Sequence, residues 1–383
     1  MAFNDEGTLL ATGTLDGSLV LFDFETRGVA KIHEKVLKGV VTSVSWSADG
    51  RKVLISSNVE VAVVAVKEWK ILEKIHVDEP AVFTNLHPRG HCFLASYAKS
   101  NPKIHYLDGT TKATPVAMAG TAAEDPKSPS TERGAPSVYP IIANFARAGA
   151  LILLGNAKGE VEFLETSTLT SVHRADIPTA ASIVTLSDNF SGDLIAINCS
   201  GKPGIQGLGT ARAFVQVLRV RPDGPIVGFD HVGDFYDPTH GLTKGTSLGW
   251  TCFSWDDAYL VGTSCADARH HITIWELESG KVEHVLTSAS ASGDQEGLKT
   301  GLPSIWHVDW CPHKAVLVTV GSSGKAYIWT KKYQENWSCF APDFRELANN
   351  EEYVEKEDEF DANVPMVPKE TNEAYTNEAI VIM

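Results

Sequence analysis

The sequence predicts an all-β fold, a seven-bladed β-propeller, and three observations support this prediction. A short apolar strand followed by a turn containing Gly, Asp or Pro occurs seven times along the 383 residues. Helical periodicity is nearly absent before residue 343. Loop-like inserts account for the longer intervals between the copies. Because propeller repeats recur roughly every 40–45 residues, seven copies indicate seven blades.

The copies are marked by large side chains at Phe3, Trp46, Leu86, Phe145, Leu186, Phe253 and Trp310. Their spacings are 43, 40, 59, 41, 67 and 57 residues. We expect loops at residues 119–137, 201–210, 230–245 and 288–301, because these segments are rich in Gly, Pro, Ser or charged residues. Without them the spacing returns to that of a blade.

Strands and hairpin turns can be placed within the copies. The continuous apolar runs Leu151–Leu154 and Ala315–Val320 are typical of strands buried on both faces, as between stacked blades. The pairs Asp16-Gly17, Lys158-Gly159 and Ser323-Gly324 lie where tight hairpins require positive φ.

The third strand of a WD-repeat blade often ends in Trp-Asp. Leu21-Phe22-Asp23, Ile274-Trp275-Glu276 and Ile328-Trp329-Thr330 are similar to that ending, whereas blades two to five lack it. We expect Trp275, Trp310 and Trp329 to pack between sheets as structural residues rather than to bind a cofactor. The prediction is therefore a WD-repeat propeller over residues 1–342.

The first blade has little sequence for its inner strand, since only Met1-Ala2-Phe3 precedes the first turn. A missing inner strand would leave unpaired backbone groups at a sheet edge. We therefore expect the natural protein to begin upstream of Met1.

Few residues carry a pattern typical of catalysis or metal binding. Asp267, His270 and His271 are candidates, but adjacent strand residues point to opposite faces, so the two histidines do not suit one metal ion. Residues 204–209 are rich in Gly but lack the spacing and the Lys of a phosphate loop. We therefore expect no catalytic residue, no metal and no cofactor. Ser128-Pro129 is a candidate site for proline-directed phosphorylation.

Charge is unevenly distributed, and the formal net charge is -15. Residues 343–383 contain 12 acidic and 3 basic residues, so the remaining residues carry only -6. Such a body does not favour nucleic acid by bulk attraction, and no apolar stretch is long enough for a membrane helix. We expect the tail, residues 343–383, to be mostly disordered. Its acidic stretch carries the apolar residues Tyr353, Val354 and Phe360, so it suits folding onto a basic, grooved partner; the alternative is a solvated charge run.

The region after the seventh blade is more specific. Asn336-Trp337-Ser338-Cys339-Phe340-Ala341-Pro342-Asp343-Phe344 and the acidic run after it resemble the retinoblastoma-binding protein 5 family. Residues 26–32, 87–89 and 155–159 are also similar. We expect the following residues to form a structural motif: Asn336, Trp337, Phe340, Pro342, Asp343 and Phe344.

The resemblance implies a nuclear, non-catalytic scaffold and activator of COMPASS- or MLL-type complexes that methylate histone H3 lysine 4. The segment matching residues 352–359 would lie against the SET-domain methyltransferase subunit, and the next segment would dock on the SPRY-domain subunit. The residues implied in partner binding are Glu352, Tyr353, Val354, Glu355, Lys356, Glu357, Glu359, Phe360 and Asp361. Residues 378–383 resemble the start of a motif for a second WD-repeat subunit, and the propeller would contact the nucleosome.

The tail departs from the family where residues 362–368 are almost uncharged, so docking on the SPRY subunit there would use apolar contacts. Two other functions remain open. A WD-repeat adaptor such as a ubiquitin-ligase substrate receptor would need an adaptor-binding helix. A propeller hydrolase would need carboxylates or a metal site converging in the central channel.

Overall fold

The computed structural model describes residues 1–77, 79–113, 141–177, 180–201, 213–221, 228–236, 248–264, 271–287, 304–331 and 377–382. Within these residues the chain forms 28 β-strands in seven four-stranded antiparallel sheets. Each sheet is a meander whose four strands follow one another along the chain. The seven sheets are the seven blades predicted from the repeats.

The first four blades lie before residue 177. Their strands are β1 Ala2–Phe3, β2 Leu9–Gly13, β3 Leu19–Asp23 and β4 Gly28–His33; β5 Ser43–Trp46, β6 Lys52–Ser56, β7 Glu60–Ala65 and β8 Lys70–His76; β9 Ala81–Leu86, β10 Cys92–Tyr97, β11 Lys103–Tyr106 and β12 Thr111–Ala113; and β13 Ile142–Ala146, β14 Leu151–Gly155, β15 Glu160–Glu165 and β16 Ser171–Asp176.

Three more blades follow. Their strands are β17 Ala180–Asp188, β18 Leu194–Gly201, β19 Phe214–Arg221 and β20 Gly228–Tyr236; β21 Leu248–Phe253, β22 Tyr259–Ser264, β23 His271–Glu276 and β24 Val282–Thr287; and β25 Ile305–Trp310, β26 Val316–Gly321, β27 Ala326–Lys331 and β28 Asn377–Ile382.

The first strands of the blades form a closed ring. Each contacts the first strand of the next blade, from β1 through β5, β9, β13, β17 and β21 to β25, and β25 contacts β1. All seven marker residues of the sequence lie in these strands, so the predicted repeat is confirmed. The first strands therefore surround the channel, and the fourth strands lie at the rim.

The core lies between neighbouring sheets. Ile152, Leu153 and Leu154 on β14 are fully buried, as their unbroken apolar run predicts. Trp275 packs against strands of blades five and six, and Trp329 packs in the cluster shared by blades six and seven. The predicted hairpin glycines Gly17, Gly159 and Gly324 all have positive φ, which confirms those turns.

Two features of the fold differ from the sequence prediction. Residues 230–236 were expected in a loop, but they belong to β20 and pair with β19, with Phe235 buried. Residues 377–382 were assigned to the acidic tail, but they form β28, which pairs along β27 from Ala326↔Ile382 to Lys331↔Asn377. The expected loops at 119–137 and 288–301 lie outside the described residues.

Candidate functional site

Each blade has the same turn between its first and second strands, here called the first turn. In all seven, a backbone N–H donates to the carbonyl three residues earlier, as from Gly7 to Asn4 and from Gly149 to Ala146. A polar side chain caps several of these turns: Asn4 Oδ1 accepts from the N–H of Leu9 at 2.8 Å, and Ser254 Oγ accepts from that of Tyr259 at 2.9 Å. The repeated motif therefore fixes the shape of the turns.

The first turns contact one another and form one face of the ring, here called the turn face. The N–H of Ala48 donates to the carbonyl of Pro88 at 2.8 Å, which joins blades two and three. Ser191 Oγ donates to Asp257 Oδ2 at 3.0 Å, which joins blades five and six. The turn face is thus a surface contributed by every blade.

A cavity of about 330 Å³ opens at the channel mouth on the turn face. It is lined by first-strand ends from blades one, two, three, five and seven, including Phe3, Trp46, Asn85, Asp188 and Asp309. Trp46 Nε1 donates a hydrogen bond to the carbonyl of Ala2 at 2.8 Å, and this bond fixes the Trp46 side chain in the wall of the cavity. The volume is at the lower end for ligand sites, so it suits one side chain rather than a large cofactor.

Two carboxyl groups in the cavity are kept partly protonated near neutral pH. Burial raises the pKa of Asp188 to about 7, although backbone N–H groups of Asp188 and Arg147 act in the opposite direction. Burial also raises the pKa of Asp309 to about 6, and hydrogen bonds from the N–H groups of Phe3, at 2.9 Å, and Trp310, at 3.0 Å, offset part of this effect. A nearby cation would favour the charged form of both groups.

Deeper in the ring, polar side chains of the first strands bond across blades. Ser43 Oγ lies 2.6 Å from Ser56 Oγ and 2.7 Å from Thr84 Oγ1, and all three residues are buried. Asn144 Nδ2 donates to the carbonyl of Leu186 at 2.7 Å. These groups satisfy one another, so they hold blades together rather than offering a reactive constellation.

The structure places only some of the sequence candidates. Trp275 and Trp329 are buried between blades, and Trp310 lies half-buried at the end of β25, where it lines the channel mouth. His271 is buried at the start of β23. Asp267, His270, Ser128 and all candidates from Asn336 to Asp361 lie outside the described residues.

Sequence reasoning missed Asp188 and Asp309. The only sequence feature that could have indicated them is their position beside a marker residue. Asp309 directly precedes the marker Trp310, and Asp188 follows the marker Leu186 by two residues. The sequence alone does not indicate that the carboxyl groups of Asp188, in blade five, and Asp309, in blade seven, lie in one cavity.

Neither a metal centre nor a membrane helix is found where the chain is described. No three His, Cys, Asp or Glu side chains of the described residues are grouped closely enough to hold a metal ion. The same residues contain no helix of the length and hydropathy that crossing a bilayer requires.

The fold and this face define a WD40 β-propeller. Residues 1–108 match the family described as Anaphase-promoting complex subunit 4 WD40 domain. The structure is similar to the β-propeller domain of Cps50 (Swd1) from Myceliophteria thermophila, with a TM-score of 0.68 and 22% identity over 86% of this chain and 94% of that one.

Relatives identify the family. Protein RBL of Arabidopsis thaliana is 30% identical over 94% of this chain and 67% of its own length. The Retinoblastoma-binding protein 5 homolog of Drosophila melanogaster is 30% identical over 94% of this chain and 66% of its own length. The Set1 complex component swd1 of Schizosaccharomyces pombe is 28% identical over 98% of this chain and 86% of its own. The chain belongs to the retinoblastoma-binding protein 5 family, and it spans about two thirds of the first two relatives.

Proposed function

We propose that this chain is a non-catalytic WD-repeat subunit of a nuclear complex that methylates histone H3 lysine 4. The observation that carries the proposal is similarity along nearly the whole chain to proteins named as subunits of such assemblies. Set1 complex component swd1 matches 98% of the chain, and COMPASS component SWD1 of Saccharomyces cerevisiae, at 27% identity, matches 94%.

The chemistry of the propeller supports a binding role. The inner polar side chains described above are engaged with one another, and burial raises the pKa of the cavity carboxyl groups of Asp188 and Asp309. A hydrolase of this fold would need an activated nucleophile or a metal ion beside those groups. A rigid ring with many exposed turns is instead suited to holding partners in fixed relative positions.

We further propose that the propeller, which includes β28, and the tail residues 343–376 bind different partners. The propeller would contact the nucleosome and other core subunits. Residues 352–359 would pack on the SET-domain subunit and favour its active conformation, which requires only differential contacts. Phe360 and Asp361 would begin the segment that docks on the SPRY-domain subunit, and residues 378–383 would approach a second WD-repeat subunit.

The pairing of residues 377–382 with β27 decides how this proposal is tested. Removing residues 343–383 altogether would take a strand from blade seven, so lost activity would have two causes. Substitutions confined to residues 352–361 keep β28 in place. We therefore choose Tyr353→Ser, Val354→Ser and Phe360→Ser in one variant.

The test is methyltransferase activity on histone H3 in a complex reconstituted with a SET-domain subunit, a SPRY-domain subunit and a second WD-repeat subunit. We expect the triple variant to lose activity by tenfold or more, because each apolar anchor buried on a partner contributes about 2 kcal/mol. A variant with Glu370→Ser and Glu373→Ser serves as the control and should retain activity. Equal activity of the triple variant and the unmodified chain would refute the role of this segment.

A further inference from the structure

Three aromatic side chains form a continuous row on the turn face, here called the aromatic ladder: Phe190, Trp255 and His313. They come from the first turns of blades five, six and seven. The ring centroids of Phe190 and Trp255 are 4.6 Å apart, and those of Trp255 and His313 are 3.8 Å apart. Phe190 is 42% exposed, His313 is exposed and Trp255 is half-buried. The ladder is therefore accessible from solvent.

The ladder has an acidic rim. Asp193, Asp256 and Asp257 lie in the same turns as Phe190 and Trp255. Within the described residues, none of the three carboxylates is within 4.0 Å of a basic group. Lys314, which follows His313, instead forms an ion pair with Glu25, whose Oε1 lies 4.0 Å from Lys314 Nζ. Arg219 still attracts Asp193 electrostatically, so the carboxylates of Asp256 and Asp257 are the ones most open to a basic partner.

Acidic residues are concentrated in the first turns of blades one, five and six, which carry Asp5, Glu6, Asp193, Asp256 and Asp257. The first turns of blades two to four instead carry Arg51, Arg89 and Arg147, and their one acidic residue, Asp49, lies 3.9 Å from Arg51. A partner attracted to the acidic turns would be repelled by the basic turns, so the face gives an orientation as well as an attraction.

Asp257 stands out among the turns. The matching residue is a glycine with positive φ in blades one to five: Gly7, Gly50, Gly90, Gly149 and Gly192. Asp257 takes φ 55° at that position. Its Oδ2 accepts from Ser191, but its Oδ1 is shielded from water and has no hydrogen-bond partner among the described residues. Blade six therefore keeps an incompletely satisfied carboxylate where glycine suits the backbone better.

We propose that the aromatic ladder and its acidic rim bind a basic peptide segment of a protein partner, with an Arg or Lys side chain stacked on Trp255. A cation over an indole ring is attracted by its π face, and Asp256 and Asp257, which directly follow Trp255 in the sequence, add negative charge beside it. Phe190 lines the channel-mouth cavity as well, so the ladder leads directly into it. A second basic side chain of the same peptide would enter the cavity towards Asp188.

The test uses the full 383-residue chain and a fluorescein-labelled peptide of four Ala-Arg repeats, with fluorescence anisotropy as the readout. We expect Trp255→Ala to weaken binding about tenfold and Asp256→Asn about threefold. Trp255→Phe, which keeps an aromatic face, should recover most of the affinity. Asp256 Oδ1 accepts hydrogen bonds within its own turn that an Asn side chain can retain, so this variant serves if Trp255→Ala fails to fold.

Two matched controls test whether the effect is local. Trp306→Ala removes a 53% exposed indole near the start of β25, and Asp108→Asn removes an exposed carboxylate from a hairpin of blade three. Both should bind the peptide within twofold of the unmodified chain. Equal losses in the controls and the ladder variants would overturn the proposal, because they would show only general attraction to an acidic protein.

A cross-linking arm separates the ladder from the acidic tail. A benzophenone on the same peptide should label residues 186–193, 253–258 or 311–314. Labelling confined to residues 343–361 would also overturn the proposal. Neither peptide binding nor cross-linking requires a methyltransferase. A negative result here would therefore leave the proposed function intact, and failure of the proposed function would leave this binding site intact.

Discussion

At the scale of single residues, the turn face depends on a few backbone positions that strongly favour glycine. Gly149 has φ +86°, and an added Cβ would lie 2.5 Å from Nε2 of His87. His87 is buried and packs edge-on against Phe145, with centroids 5.0 Å apart. The imidazole also packs against His91, with ring centroids 4.3 Å apart, so a methyl group at Gly149 would disturb the junction of blades three and four.

We expect Gly149→Ala to lower the free energy of unfolding by about 2–3 kcal/mol, from left-handed backbone strain together with displacement of His87. Urea denaturation measures this. Gly109→Ala is the control: its φ is +87°, but nothing lies within 4 Å of the added Cβ, so only the backbone strain of about 1–2 kcal/mol remains. If both variants lose the same free energy of unfolding, contact between the added methyl group and His87 does not contribute to the destabilisation.

Asp188 makes stability depend on pH. Its pKa in the folded protein is about 7, above its ordinary value of 3.8, so the folded state retains a proton that the unfolded state releases. Stability therefore falls as the pH rises from about 4 to about 7. Asp188→Asn removes this loss, and we expect the variant to be more stable than the unmodified chain at pH 8 by about 1–2 kcal/mol, after allowance for solvent in the cavity. Thermal unfolding from pH 4 to pH 8 measures the difference, which should shrink towards pH 4; a constant difference would contradict this origin.

At the scale of strands, the sequence predicts those elements whose signal is local. Residues Leu151–Leu154 are apolar throughout, and they form most of strand β14, as predicted. Residues 230–236 have no such signal, because Asp230, Asp234 and Gly233 disfavour strands. Their extended conformation depends on pairing with residues of β19 that lie 11 to 22 positions earlier, and this pairing accompanies the burial of Phe235. Tertiary pairing outweighs local preference there, and a sequence pattern cannot register it.

β28 illustrates the same limit at longer range. The run Ala379-Ile380-Val381-Ile382 has the composition of a strand, but its partner β27 ends 46 residues before Asn377. Nothing in the run indicates which sheet edge it joins. The aromatic ladder was also invisible to sequence reasoning, because its three residues are spread from residue 190 to residue 313.

Deleting residues 377–383 should expose the edge of blade seven. Without β28, the backbone groups of β27 that face it lose their partners, and we expect amide exchange in Ala326–Lys331 to accelerate by tenfold or more. Hydrogen exchange followed by mass spectrometry measures this. Exchange in Lys103–Tyr106, the third strand of blade three, should stay constant. Unchanged exchange in β27 would mean that the pairing contributes nothing in solution.

At the scale of the whole molecule, the ring closes where the two ends of the propeller meet. Every strand of blade one comes from the first 33 residues, and every strand of blade seven follows residue 304, so no sheet combines strands from both ends. Side-chain packing must then close the ring. The closing cluster contains Phe3, Leu10 and Phe24 from blade one and Cys311, Val318 and Ile328 from blade seven.

Because blades one and seven share no strand, we expect the ring to open first at the junction between these two blades. Phe3 is 8% exposed, and its ring packs edge-on against Phe24 with centroids 4.9 Å apart. Its N–H also donates to Asp309 Oδ2, so one residue links the closing cluster to the channel-mouth cavity. Opening here would therefore disturb both the ring and its candidate binding site.

We expect Phe3→Ala to destabilise the protein by about 3–5 kcal/mol and, more tellingly, to accelerate amide exchange in blades one and seven under conditions in which blades three and four stay protected. Phe93→Ala is the matched control, because Phe93 is fully buried at the junction of blades two and three. It should lose a similar free energy without opening blades one and seven selectively. If both variants unfold in a single transition with uniform exchange, the ring is one cooperative unit and the junction between its ends is as strong as any other.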